Sequence, residues 1–199
     1  MYNDHNIFEL TLKKKLFLTF LGIIYLTLAF FIAISSLTFN FDETGWHTLS
    51  NMENQNFFGK FGSYVSGFLF KEFGILTPIF LFLILTLYGI KFLKYQTISK
   101  IWFKSFLILG LILMFGILSQ PLHNILSTYF IEENRILKYE GLSNELYRFI
   151  LVKVDDVSNF GQNYSYILTN IIITITSIFV FIYTASTNIS ELSFLKKFV

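Results

Sequence analysis

The sequence predicts an all-α integral membrane protein: four transmembrane helices plus short interfacial amphipathic helices. Three observations carry this. Hydrophobic residues fill 54% of the 199 positions and charged ones only 14%, against roughly 45–50% and about 25% in a soluble domain. Phe alone occupies 26 positions, more large apolar surface than a domain of this size can turn inward. The apolar residues are also gathered into four runs, each close to the roughly 20 helical residues that cross a bilayer. The absence of Cys removes disulfide frameworks, thiolate metal sites and thiol nucleophiles. A net charge of +2 is too small to suggest a nucleic-acid surface.

The first span, residues 16–37, contains no charge. Lys13, Lys14 and Lys15 precede it as the basic region of a signal peptide would. Its apolar stretch, however, exceeds the ~7–15 residues of a signal core, so an uncleaved anchor is expected. Residues 38–74 then form an external loop. Within it Phe57, Phe61, Tyr64, Val65 and Phe68 recur at helical spacing. Gly59, Ser63, Ser66 and Gly67 lie among them, small enough for close backbone packing. Residues 57–70 therefore read as an interfacial or half-inserted amphipathic helix, docked through a face that holds Gly59 and Gly62.

The second span covers residues 75–93, with Pro78 in its first turn, where it costs little. Lys91 is expected to snorkel from its end to the lipid headgroups. The third, residues 101–118, opens on Trp102 and Lys104, an interfacial aromatic and a second snorkelling cation. Residues 119–166 make the second external loop. There Leu122, Ile125, Leu126, Tyr129 and Phe130 share one helical face, and Leu142, Leu146, Phe149, Ile150 and Val157 another. Both segments are expected to lie on the outer membrane surface or against the span ends. The fourth span is residues 167–185. Backbone groups in lipid have no water to bond, so every span must be helical despite its Ile and Phe. The whole chain, residues 1–199, reads as a single membrane domain.

Orientation follows from Lys and Arg. The N-terminal tail, the connection between spans two and three and the C-terminal tail hold nine basic residues against three acidic. The other face holds six basic residues against ten acidic. Both termini are expected in the cytoplasm.

No constellation of residues looks catalytic. His5, His47 and His123 stand apart, without partners at metal-ligand spacing. Asp155-Asp156 and Glu132-Glu133 are neighbours, which on a helix point about 100° apart. Gly59-Lys60 fails as a phosphate-binding loop, because Asn54 stands where the first Gly is needed and Phe61 replaces Ser/Thr. No catalytic residue, cofactor or metal is expected, and the chain does not read as an enzyme. The span interiors lack the ionisable groups that mark conduction paths. Asn170 is expected to hydrogen-bond to another helix.

One pattern is more specific. Ser35-Ser36 is followed by Asp42 and Trp46, then by Asn56-Phe57-Phe58-Gly59-Lys60-Phe61-Gly62-Ser63-Tyr64-Val65, and Phe73-Gly74 opens the second span. This resembles the N-terminal four-helix membrane domain of the FtsK/SpoIIIE family of bacterial DNA translocases. Glu140-Gly141-Leu142-Ser143-Asn144 and Phe160-Gly161 extend the resemblance. Glu43, Ser63 and Asn144 depart from it, standing where that family tends to have Pro, Ala and Gly.

The resemblance implies a membrane anchor in the bacterial inner membrane, at the division septum, serving cell division and chromosome partition. Its partners would be the lipid bilayer, a homo-oligomer and other septal membrane proteins. Contacts are expected at Asp42, Trp46, Asn56, Gly59, Gly62 and Gly141. No motor domain is expected in these residues, so ATP hydrolysis, DNA pumping and direct nucleic-acid binding are not carried over. The competing class is a subunit of an unrelated small transporter or export system.

Overall fold

A computed structural model describes residues 12–42, 44–46, 53–94, 101–130, 141–158 and 162–186. His5, Glu43, His47, Glu132-Glu133, Glu140 and Phe160-Gly161 lie outside the described residues. The described chain forms six helices: α1 (Leu12–Leu37), α2 (Gly59–Phe73), α3 (Leu76–Leu93), α4 (Ile101–Phe130), α5 (Leu142–Ser158) and α6 (Gln162–Ala185). Four contain stretches long and apolar enough to cross a membrane: Leu12–Leu37, Leu76–Leu93, Trp102–Leu122 and Tyr164–Ala185. The protein is thus the four-span helical membrane protein that its composition predicts.

The most buried span is α3, and α1 the least. On one side α1 lies along α3, and the two approach closest at glycine. A methyl group added at Gly22 would sit 3.0 Å from the Gly89 carbonyl oxygen, and one at Gly89 would sit 3.1 Å from that of Gly22. Small residues at a crossing let the backbones make close dispersion contact, the main attraction between helices in lipid. Beside this crossing Tyr25 packs on Tyr88 and Phe92. On the other side α4 and α6 close the bundle, with Phe80 stacked on Phe115 at 4.7 Å and edge-on to Phe181 at 5.6 Å. Ile84 and Leu111 complete this core, both fully buried. A second cluster of Ile117, Tyr147 and Ile173 ties α5 to α4 and α6. There the Tyr147 hydroxyl donates to Asn170 Oδ1 at 3.2 Å, the interhelical bond expected of Asn170. Burial pushes the Tyr147 hydroxyl pKa up.

Two expectations for the second loop need correction. The 122–130 segment is not a separate surface helix, because α4 continues unbroken through Pro121 to Phe130. Proline removes one backbone donor, but its fixed φ is helical, and the apolar spacing continues beyond it. For α5 the buried positions are Ser143 and Tyr147, whereas Leu142 and Phe149 point outward. Of the expected apolar face, Leu146 and Ile150 are half-buried and pack on the second cluster, so the face is turned inward only in part, with Tyr147 its deepest side chain. The side chain of His123 lies outside the described residues.

Candidate functional site

A helix end leaves backbone groups without intrahelical partners, and beside lipid no water replaces them. At the end of α1 the Ser35 carbonyl is such a group. It accepts the side-chain Nδ2 of buried Asn56 at 2.7 Å. Asn56 Oδ1 meanwhile accepts the Phe58 amide at 3.1 Å, an Asx turn that starts α2. The Phe57 amide donates to Thr38 Oγ1 at 3.1 Å. One asparagine therefore closes α1 and opens α2.

The two glycines expected to share a packing face have different jobs. Gly59 has φ +59°, and nothing lies within 4 Å of a methyl group built there. Its requirement is conformational, and the close contact expected of it is absent. At Gly62 an added methyl would lie 2.0 Å from Asn56 Oδ1, so Gly62 leaves room for the asparagine. Small residues do face inward along α2, at Gly62, Ser63, Ser66 and Gly67. Phe58 and Phe61 meet Phe31 of α1 at ring separations of 4.8 and 5.4 Å. Phe31 lies about 9 Å before the end of α1 at ~1.5 Å per residue, so the start of α2 dips alongside the span. Phe57 and Phe61 remain exposed there.

Trp46 lies across the other half of α2. Its indole Nε1 donates to Glu72 Oε1 at 2.8 Å, and its carbonyl accepts Lys71 Nζ at 3.0 Å. Burial lowers the Lys71 pKa. The indole meets Phe68 edge-on at 5.0 Å. Gly67 admits this chain: a methyl there would be 3.3 Å from the Trp46 amide nitrogen. Asp42 is exposed, and its amide donates to Asn40 Oδ1 at 3.1 Å. It stands apart from the Trp46 contacts.

The end of α2 is held by α4 and α5. Gly74 turns the chain into α3 with φ +83°, and a methyl there would lie 2.4 Å from Ser119 Cβ. Ser119 Oγ accepts the Leu76 amide at 3.1 Å, capping α3 from α4. A methyl at Gly141 would lie 2.0 Å from the Lys71 carbonyl oxygen. Just beyond it the Leu142 amide donates to Glu72 Oε2 at 3.1 Å. Trp46, Glu72 and Gly141 are thus one site, Asn56 and Gly62 a second at the opposite end of α2, and Asp42 belongs to neither. Nothing in the sequence pattern singled out Glu72 or Ser119.

The far end of the bundle corrects a further expectation. Lys91 and Lys104 do not snorkel. Lys91 Nζ donates to the Ala185 carbonyl and Lys104 Nζ to that of Ser186. Lys104 is 1% exposed and lies over the Tyr183 ring at 5.4 Å. The Tyr88 hydroxyl donates to the Thr184 carbonyl at 2.9 Å. The last carbonyls of α6 carry the negative end of the helix dipole, a nearer and drier partner for an ammonium than a headgroup.

Among the described residues no His, Asp and Glu cluster could hold a metal. The arrangement fixes helix ends and presents surfaces. A family model described as the 4TM region of DNA translocase FtsK/SpoIIIE matches residues 14–132. This stretch runs from α1 past the end of α4 and contains all of α2 with its Asn56 and Trp46 contacts. The chain belongs to the FtsK/SpoIIIE four-transmembrane family. No curated protein and no solved structure matches it. The FtsK-like region is the membrane-anchoring part of those translocases, distinct from their motor. Trp46, Asn56 and Gly62 fall inside the matched region, while Gly141, α5 and α6 lie beyond it.

Proposed function

We propose that this FtsK-like domain acts in cell division and chromosome partition, holding a DNA translocase at the bacterial inner membrane and helping to place it at the septum. The match of residues 14–132 to the translocase membrane region carries the reading. The geometry supports an anchoring role, since side chains of one helix close the ends of another. Both termini lie in the cytoplasm on this reading, and the α2 end faces outward. The exposed surfaces around Asp42 and α5 then meet other septal membrane proteins or a second copy of the chain. The domain itself neither hydrolyses ATP nor binds DNA. A fluorescent fusion of the chain in dividing bacteria tests the proposal. Enrichment at constriction sites is expected, and an even distribution around the membrane would contradict it.

A further inference from the structure

The chain leaves the lysine end of the bundle at two places, the start of α1 and the end of α6, and the two are built differently. At the end of α6 five successive carbonyls are all bonded. That of Ile182 accepts the Ser186 amide at 3.1 Å, and that of Tyr183 the Ser186 hydroxyl at 2.7 Å. The next three take their donors from other helices. Thr184 is held by the Tyr88 hydroxyl at 2.9 Å, Ala185 by Lys91 Nζ and Ser186 by Lys104 Nζ. Lys104 Nζ also reaches Ser186 Oγ at 3.4 Å. Tyr88 and Lys91 stand three apart on α3 and so share a face, while Lys104 comes from α4. Tyr88 and Lys104 are each 1% exposed, which shields their bonds from water. The start of α1 is held more lightly: Leu12, Leu16 and Phe17 are exposed, and of the other spans α1 lies chiefly along α3.

A helix end ordinarily frays at almost no cost in free energy, because its last carbonyls have no intrahelical donor to lose. The end of α6 cannot open that way. Moving Ala185 and Ser186 outward breaks bonds to α3 and α4 together. It also takes from a buried ammonium an acceptor that water does not replace, and bonds to charged donors are the stronger kind. Tension on the chain that follows α6 is therefore shared among three spans from the first residue it reaches. We infer that Tyr88, Lys91 and Lys104 form a clamp that makes the end of α6 the tension-carrying exit of the domain. The inference rests on the anchoring role proposed above, since an anchor carries load, and it assigns that load to one of the two ends.

Directional pulling tests this. The full chain, reconstituted in a supported bilayer, is pulled by an atomic force microscope through a tag at either terminus. Lys91→Met with Lys104→Met should raise the rate at which α6 is extracted from the C-terminal side at a fixed force about tenfold or more. The rate at which α1 is extracted from the N-terminal side should not change. Tyr88→Phe keeps the ring against Tyr25 and removes one donor, so it should give a smaller rise from the C-terminal side only. An α6 extraction rate that these variants leave unchanged overturns the inference. So does an equal rise from both ends, which would make the three residues general stabilisers of the fold. Should the double Met variant fail to insert, Tyr88→Phe decides alone. The septal reading is tested separately: an even distribution of the fluorescent fusion would contradict the placement at the septum and leave the pulling rates as they are.

Discussion

Trp46 and Glu72 are joined across 26 residues of chain: the indole Nε1 donates to one carboxylate oxygen at 2.8 Å. The other carboxylate oxygen accepts the Leu142 amide at 3.1 Å. A single side chain thereby connects the segment after α1, the end of α2 and the first turn of α5. The helix dipole of α5 favours a negative charge at that point, and the amide is one that no intrahelical carbonyl reaches. The same device recurs in Asn56 on α1, Ser119 on α3, and the Lys91 and Lys104 pair on α6. Water would solvate such groups in a soluble protein. Near lipid the neighbouring helix must do so, and each cap then also fixes how two helices pack.

The Glu72 junction should be energetically coupled. Trp46→Phe keeps an aromatic ring against Phe68 but deletes the donor, and Glu72→Leu deletes both acceptor oxygens. Each should cost about 1.5–3 kcal/mol, the range for hydrogen bonds to a charged group. The double variant should lose less than the two single losses together, because both remove the same bond. Thermal melts of the four proteins in one detergent provide the cycle. Strictly additive losses would show that the bond contributes nothing.

Gly62 and Asn56 should likewise act as a unit. Gly62→Ala puts a methyl where Asn56 Oδ1 now sits and so should displace the cap on Ser35, costing about 1–3 kcal/mol. Asn56→Ala should cost a similar amount, and adding Gly62→Ala to it should cost less than Gly62→Ala alone, the remainder coming from the methyl's 2.9 Å approach to Phe58 Cβ. Gly59→Ala meets open space and should cost only the ~1–2 kcal/mol of a left-handed backbone. Lys60→Gln, at an exposed position, should leave the melt unchanged. If Gly62→Ala also melts with the parent, Asn56 is not held as described.

At the other end, Lys91→Met and Lys104→Met together should free the last carbonyls of α6. Charged hydrogen bonds contribute roughly 1.5–3 kcal/mol, so amide exchange in the final turn should rise about tenfold or more. The α2 end should not respond. Unchanged exchange over residues 182–186 would mean that the lysines do not hold that end.

How much of this was legible in the sequence depended on distance along the chain. The spans were readable because lipid demands long apolar runs, and the four stretches found agree with those expected within a few residues. Helical spacing in 57–70 revealed α2 because its inward small residues and outward aromatics alternate locally. Gly59 and Gly62 looked alike as two glycines three apart, yet one serves its own φ and the other a side chain from the preceding turn. Lys91 and Lys104 resembled interfacial lysines, since their carbonyl partners lie 94 and 82 residues away. Glu72 was invisible for the same reason: its partners are 26 and 70 residues distant. Periodicity reports burial but not the identity of a remote cap.

The most direct test of the whole account is the sidedness of its two ends. The chain contains no Cys, so Glu53→Cys and Lys94→Cys, both at exposed positions, each introduce a unique thiol. A membrane-impermeant maleimide is applied to intact spheroplasts and then to opened membranes. The four-span anchor with its lysine end in the cytoplasm predicts that Glu53→Cys labels at once, and that Lys94→Cys labels only after the membrane is opened. Labelling of both from the same side, or of Lys94→Cys first, would contradict it.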